Sequence, residues 1–388
     1  MLLYWVWFSQ LNKLNTLQKQ QLLRQFRDPE ELYLSSGVMG LPEDVQEALE
    51  NKDLTLARKI LDTCEKQDIG VCTVEDAVYP SRLRNTADAP LVLYYKGKLP
   101  DWDRQPVIGI VGTRKASPYG LNMAERFGTQ IAACGALVIS GGAAGIDSAA
   151  MRGALAVDRP TVAVLGCGVD VVYPKENKAL FAKTQTEGCL LSEYPPGTKG
   201  FPWHFPERNR IISGISNGLL VVEAPERSGA LNTAKHALEQ GREVFAIPGN
   251  IDMPSCAGSN ALLQDKAMPA LSGWDVVKEY VPLWPGVLSR QPEIKVAQTQ
   301  RSQETMPVSD KKVIDKDENS TYSVLNSKNH SLSETEQRIL AQIGRDPIAM
   351  DELIARVDMS ASAVKTILTK LTVKGLLVMH PGSRISLK

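Results

Sequence analysis

Two stretches of this 388-residue chain place glycine and small polar residues where an apolar run gives way to helical spacing. They are Ser140, Gly141 and Gly142 in "VISGGAAGIDSAA" (138–150), and Ser228 and Gly229 in "ERSGALNTA" (226–234). Such turns expose backbone N–H groups at the positive end of a helix dipole, which suits an anion. Cations recur at similar places: Arg114 and Lys115 follow "VIGIVG", Lys175 follows "TVAVL", and Arg208 and Arg210 flank Asn209 in "FPERNRIIS". Any one cation is ordinarily a solvated charge, and a lone glycine turn ordinarily serves close helix packing, here with Ala143, Ala144, Ala149 and Ala150. Their recurrence in Pro- and Gly-rich loops points to phosphate, for which arginine offers a forked contact. Tyr173, Phe201, Trp203, His204 and Phe205 are interleaved with these cations. Loop aromatics usually close a core; beside Arg and Lys they also suit unpaired bases, a reading that carries less weight than the phosphate contacts.

Other chemistries find little support. A dinucleotide site needs G-x-G-x-x-G after the first strand; "GIVGTRKASPYG" lacks it, and "LGCGVDVVYP" has Gly166 and Gly168 without a third glycine. No P-loop, G-x-S-x-G or H-E-x-x-H occurs, and His204 and His236 have no acidic partner at a recognisable spacing. Glu193 and Glu223 sit at strand ends, where they serve either as acid or base in a nucleotide-cleaving enzyme or as partners of nearby arginines. The cysteines at 64, 72, 134, 167, 189 and 256 are isolated, which reads as reduced thiols without a metal. No cofactor is expected.

The elements that must position these residues follow from periodicity. From 11 to about 70 the spacing is helical, with Leu14, Leu17, Leu22 and Phe26 near one face. A bridge with one short strand, Leu91 to Tyr95, leads to 107–272, where strands alternate with helices: "VIGIVG", "ALVIS", "TVAVL", "GCLLSE", "NGLLVVEA" and "REVFAI". Unbroken apolar runs imply strands buried on both faces, hence an α/β fold with a doubly wound, mostly parallel sheet. Ligands of such sheets bind at the carboxyl ends of strands. Residues 285–330 are polar and charged, as in a flexible linker. The segment 331–388 shows a capping box at Ser333 and Glu336, three helices and a hairpin, a winged helix-turn-helix pattern whose third helix exposes Ser362, Lys365, Thr366, Thr369 and Lys370. Lys and Arg number 44, as do Asp and Glu, so a polyanion would be met by local charge rather than by an overall field. The apolar start "MLLYWVWFSQL" is too short to span a bilayer, and a cytoplasmic protein is expected.

"VGTRKASPYG", "VISGGAAGIDSAA", "VAVLGCGVDVVYPKEN", "LLSEYPPGTKGFPWHFPERNRIISGIS", "LLVVEAPERSGALNTA" and "VFAIPGN", in this order, closely resemble the DNA processing protein A (Smf) family of bacteria. The resemblance covers roughly 75–272. It implies an extended Rossmann-like domain (73–284), with the helical segment 1–72 as a SAM-like domain and 331–388 as a winged helix. It further implies a non-enzymatic homodimer that binds and protects single-stranded DNA in natural transformation and loads RecA recombinase onto it. Carried over residue by residue, the family's DNA-binding pocket falls on Arg114, Ser140, Gly141, Gly142, Lys175, Arg208 and Arg210. Two rival expectations remain at this point: an enzyme akin to nucleoside monophosphate phosphoribohydrolases, and a transcription regulator acting through the winged helix.

Overall fold

A computed structural model of the chain describes residues 1–35 and 40–290 and, beyond these, scattered positions between 335 and 387. The chain divides into two compact units, Met1–Gln300 and Arg301–Lys388.

The apolar start forms α1 (Leu2–Ser9), which buries Trp5, Val6, Trp7 and Phe8. Asn15 opens α2 (Thr16–Leu23) with a reciprocal capping box to Gln18, and Asp28 caps α3 (Pro29–Leu34). These side chains satisfy N–H groups that a helix start leaves unpaired. Two further helices, α4 (Glu43–Glu50) and α5 (Thr55–Lys66), complete the set. Leu14 and Leu22 are buried as expected, whereas Leu17 is exposed. Leu22 comes five positions after Leu17, which turns them to different faces of a helix with 3.6 residues per turn.

The strands follow. β1 (Gly70–Thr73) and β2 (Val92–Gly97), with the short α6 (Ser81–Arg84) between them, pair antiparallel at one edge of the sheet. The predicted apolar runs become β3 (Val107–Val111), β4 (Leu137–Ser140), β5 (Thr161–Leu165), β6 (Cys189–Ser192), β7 (Gly218–Val221) and β8 (Glu243–Ala246). All are parallel to one another, and every residue in them but Glu243 is buried. The helices α7 (Pro118–Ala133), α8 (Ile146–Leu155), α9 (Lys178–Glu187), α10 (His204–Ile215) and α11 (Gly229–Glu239) make the crossovers, as parallel strands require. Then α12 (Ala257–Asp265), the two-residue edge strand β9 (Met268–Pro269) and α13 (Gly273–Val277) close the far side. The nine strands lie in the order β1-β2-β6-β5-β4-β3-β7-β8-β9.

The segment 1–72 shares one hydrophobic cluster with the sheet, Trp5, Phe8 and Ile60 joining Leu93, Val164 and Leu191. A boundary at 72/73 would cut β1, which sequence periodicity does not mark because four residues are too few to show a period. Residues 285–290, assigned to the linker, still pack on the sheet unit: Leu288 is buried and the Ser289 N–H donates to Cys134 O at 3.1 Å. The remainder of the expected linker lies outside the described residues.

In the second unit, β11 (Leu377–His380) and β12 (Arg384–Leu387) form the expected hairpin, and β10 (Ile348–Ala349) adds a third strand against β12. Ile339, Leu353, Val364, Leu368 and Leu371 bury together with Leu377 and Ile385. Ser333 and Glu336, and the five polar residues predicted on the third helix, lie outside the described residues.

Candidate functional site

In the strand order, β3 is flanked by β4, which follows it in the chain, and by β7, to which the chain returns after β6. The order therefore reverses between β3 and β7, and the connections leaving their carboxyl ends diverge there, the usual ligand position in open α/β sheets. A cleft of about 320 Å³ occupies this place. Gly112 to Lys115 form one wall, after β3; Pro225 and Arg227 to Ala230, ahead of and within α11, form another; and α10 contributes Phe205, Arg208 and Asn209.

Six of the residues predicted from sequence thus meet in one cleft: Arg114, Lys115, Arg208, Asn209, Ser228 and Gly229. Arg114 and Lys115 are exposed, and the Arg114 guanidinium lies over the Phe205 ring at 4.9 Å. Ser228 caps α11 through Ala230 N. Asn209 Nδ2 donates to Gly229 O at 3.3 Å, tying α10 to this turn. Arg227 also lines the cleft and is exposed. Arg227 is not among the cations that follow strand ends directly, and its place immediately before the Ser-Gly turn is the sequence signal that marks it.

The glycine turn after β4 is arranged differently. Gly142 and Gly145 both have positive φ, 66° and 83°, a conformation glycine adopts without a Cβ clash. Asp147, in the first turn of α8, accepts from Ala143 N at 3.3 Å. The turn therefore carries its own carboxylate. Opposite it, Arg208 is only 3% exposed, and its guanidinium donates to Gly141 O and Val164 O at the ends of β4 and β5. Burial lowers the Arg208 pKa to about 10, against the pull of Asp147; burial raises that of Asp147, opposed by Arg208. Arg208 reaches the floor of the cleft as a clamp between strand ends. Gly141 and Arg114 border an adjoining hollow of about 130 Å³ with Tyr173 and Phe205.

The remaining predicted residues lie apart from the cleft. Ser140 is fully buried and its hydroxyl donates to Ile110 O at 2.6 Å. Gly142 is buried, its carbonyl accepting from Asn177 Nδ2 at 2.9 Å. Lys175 is exposed at the start of a short turn, Lys175–Asn177, and lines neither hollow. Arg210 points away: it pairs with Glu193 at 2.7 Å and Asp88 at 3.3 Å and is buried against the helical segment, where it reaches Thr16. Burial disfavours its charge, but Glu193 and Asp88 more than offset this and the pKa is raised.

Glu193 is thus the partner of an arginine. Glu223 is fully buried and accepts from Ser117 N and Oγ at 3.1 and 2.9 Å, at the start of α7. Its backbone oxygen accepts from Thr113 N at 2.8 Å, which fixes the loop bearing Arg114. All six cysteines are buried and unpaired by disulfide. Among the described residues no cluster of His, Cys, Asp and Glu is arranged to hold a metal ion, and no helix is long and apolar enough to cross a membrane.

The model of the DNA recombination-mediator protein A family matches residues 70–281, and that of the DprA winged helix domain matches 326–383. The chain belongs to the DNA recombination-mediator protein A family. Protein Smf of Synechocystis is 31% identical over 98% of this chain and 97% of its own length. DNA processing protein DprA of Streptococcus pneumoniae is 42% identical over 54% of this chain and 73% of its own. An X-ray structure of the Streptococcus pneumoniae protein superposes with a TM-score of 0.64 at 34% identity, covering 72% of this chain and 98% of that one. The family match spans β1 to the residues after α13, and so contains the whole cleft. The Rossmann-like sheet and the winged helix expected from sequence are both present.

Proposed function

We propose that the protein binds single-stranded DNA in natural transformation, protects it and, as a homodimer, loads RecA recombinase onto it. The observation that carries the DNA-binding reading is the convergence of Arg114, Lys115 and Arg227 with the N-terminus of α11 on one cleft at the sheet's reversal point. Exposed guanidinium and ammonium groups meet phosphate oxygens there, and the unpaired N–H groups of a helix start add a fixed positive end. Lys175, exposed after β5, is a further cation past a strand end. Glu193 and Glu223 are both occupied in holding the fold, which supports a binding role over bond cleavage.

Phosphate-dominated binding makes a quantitative demand. Neutralising Z phosphates of a single strand gives a log–log salt slope of about −0.7Z. Salt titrations with oligo(dT) and with duplex are expected to show tighter binding to the single strand, and Arg114→Ala is expected to flatten the slope by roughly 0.7. Preference for duplex, or an unchanged slope in the variant, would contradict this reading.

A further inference from the structure

The cleft explains how phosphates are met but leaves an aromatic assembly on its rim unused. Pro202 lines the cleft beside Arg114 and Lys115, and its two neighbours are aromatic. Phe201 and Trp203 stack face to face, centroids 4.8 Å apart and planes 6° from parallel, yet they are 41% and 59% exposed. Two large rings paired with each other and still presented to solvent are costly to leave uncovered, since apolar area gains free energy on burial.

The pair is also braced. His204 meets both rings edge-on, at 5.3 Å from Phe201 and 5.9 Å from Trp203. His204 itself stacks on Tyr194 at 3.9 Å, and its Nδ1 lies 3.1 Å from Gly166 O just past the end of β5. The Tyr194 hydroxyl donates to Glu207 at 2.9 Å in α10. Rings fixed in this way by the strand end and the helix lose little further freedom when something stacks on them. Phe205 differs, being covered by Arg114.

Resting on the DNA-binding reading above, we propose that the outer face of Trp203, backed by Phe201, is a stacking site for an unpaired nucleobase of the strand whose phosphates lie in the cleft. The occupant follows from chemistry: a flat apolar platform adjoining a cluster of exposed cations matches a ligand that alternates flat π-faces with anions. A duplex, whose bases are already stacked on one another, has no free face to offer it. The site is indifferent to base identity, because every base has a π-face.

Trp203 is the most exposed of the six tryptophans, so the part of the emission that Trp203→Phe removes reports on the platform. Full-length protein is titrated with oligo(dT) and with an abasic deoxyribose-phosphate oligomer of equal length, as wild type, Trp203→Ala and Trp203→Phe. The expected results are quenching of wild-type emission by oligo(dT), and affinity for oligo(dT) lower by roughly 5- to 150-fold in Trp203→Ala. The salt slope stays that of wild type, Trp203→Phe retains most of the affinity, and the abasic oligomer binds all three proteins alike. Equal oligo(dT) affinity in wild type and Trp203→Ala overturns the stacking site while leaving DNA binding intact. A loss in Trp203→Ala that is equally large for the abasic oligomer also overturns it, assigning the residue to the fold. Failure of wild type to bind either oligomer overturns both readings.

Discussion

Among single residues, Arg208 and Arg210 show how alike two arginines two positions apart look in sequence and how differently they are used. Both sit in α10, and neither is a free surface cation. Arg208 faces Asp147 and clamps Gly141 and Val164, whereas Arg210 fastens Glu193 and Asp88. Removing Arg208 strands two buried carbonyl oxygens and takes a cation away from the buried Asp147 carboxyl, and each buried polar group left unsatisfied costs about 1–3 kcal/mol. Arg208→Ala is therefore expected to lower unfolding stability in urea by at least that amount. The loss should be strongly non-additive with Asp147→Asn, since the second change removes the charge that the first strands. Additive losses in the double variant would show that the two groups act separately.

The helical segment is positioned by caps and by a buried lysine. Lys19 of α2 donates from Nζ to Ser9 O at 2.6 Å, and burial lowers its pKa from 10.5 to about 8, partly countered by Glu193. The unfolded chain holds this proton up to 10.5 while the folded chain releases it near 8, so between these values the unfolded state binds more protons. Stability attributable to Lys19 is consequently lowest below pH 8 and rises as pH climbs toward 10.5. Relative to Lys19→Met, the wild type should gain on the order of 3 kcal/mol across that window. Denaturation midpoints of both proteins measured from pH 7 to 10.5 check this; parallel curves would place the proton elsewhere. The family resemblance implies a separate domain for the same helical segment, yet Trp5, Phe8 and Ile60 share one hydrophobic cluster with sheet residues. An amphipathic pattern states that a face is covered and does not state by what.

For the whole molecule, equal numbers of acidic and basic residues exclude a general attraction to polyanions, and the cleft gathers three exposed cations, Arg114, Lys115 and Arg227, at one place. Every residue of the cleft lies in Met1–Gln300, and Arg301–Lys388 has a hydrophobic cluster of its own. A chain ending at Arg290 is therefore expected to bind oligo(dT) with the salt slope of the full chain. A slope flatter by roughly 0.7 or more would place phosphate contacts in the second unit.

What the sequence determined by itself was whatever depends on neighbours in the chain. The six core strands, the helix opening at Ser228 and Gly229, and the position of cations and glycines just past strand ends all follow from local periodicity and turn chemistry. The family motifs named the fold for the same reason. Tertiary structure alone decided which of those residues face a ligand. Strand order put the loops after β3 and β7 side by side, so that Glu223 caps a helix start 106 residues earlier and Arg227 joins Arg114 in one cleft. It also turned Arg208 and Arg210 inward, because a guanidinium goes where carboxylates and carbonyls from distant segments converge, and that convergence has no signature at any fixed spacing along the chain.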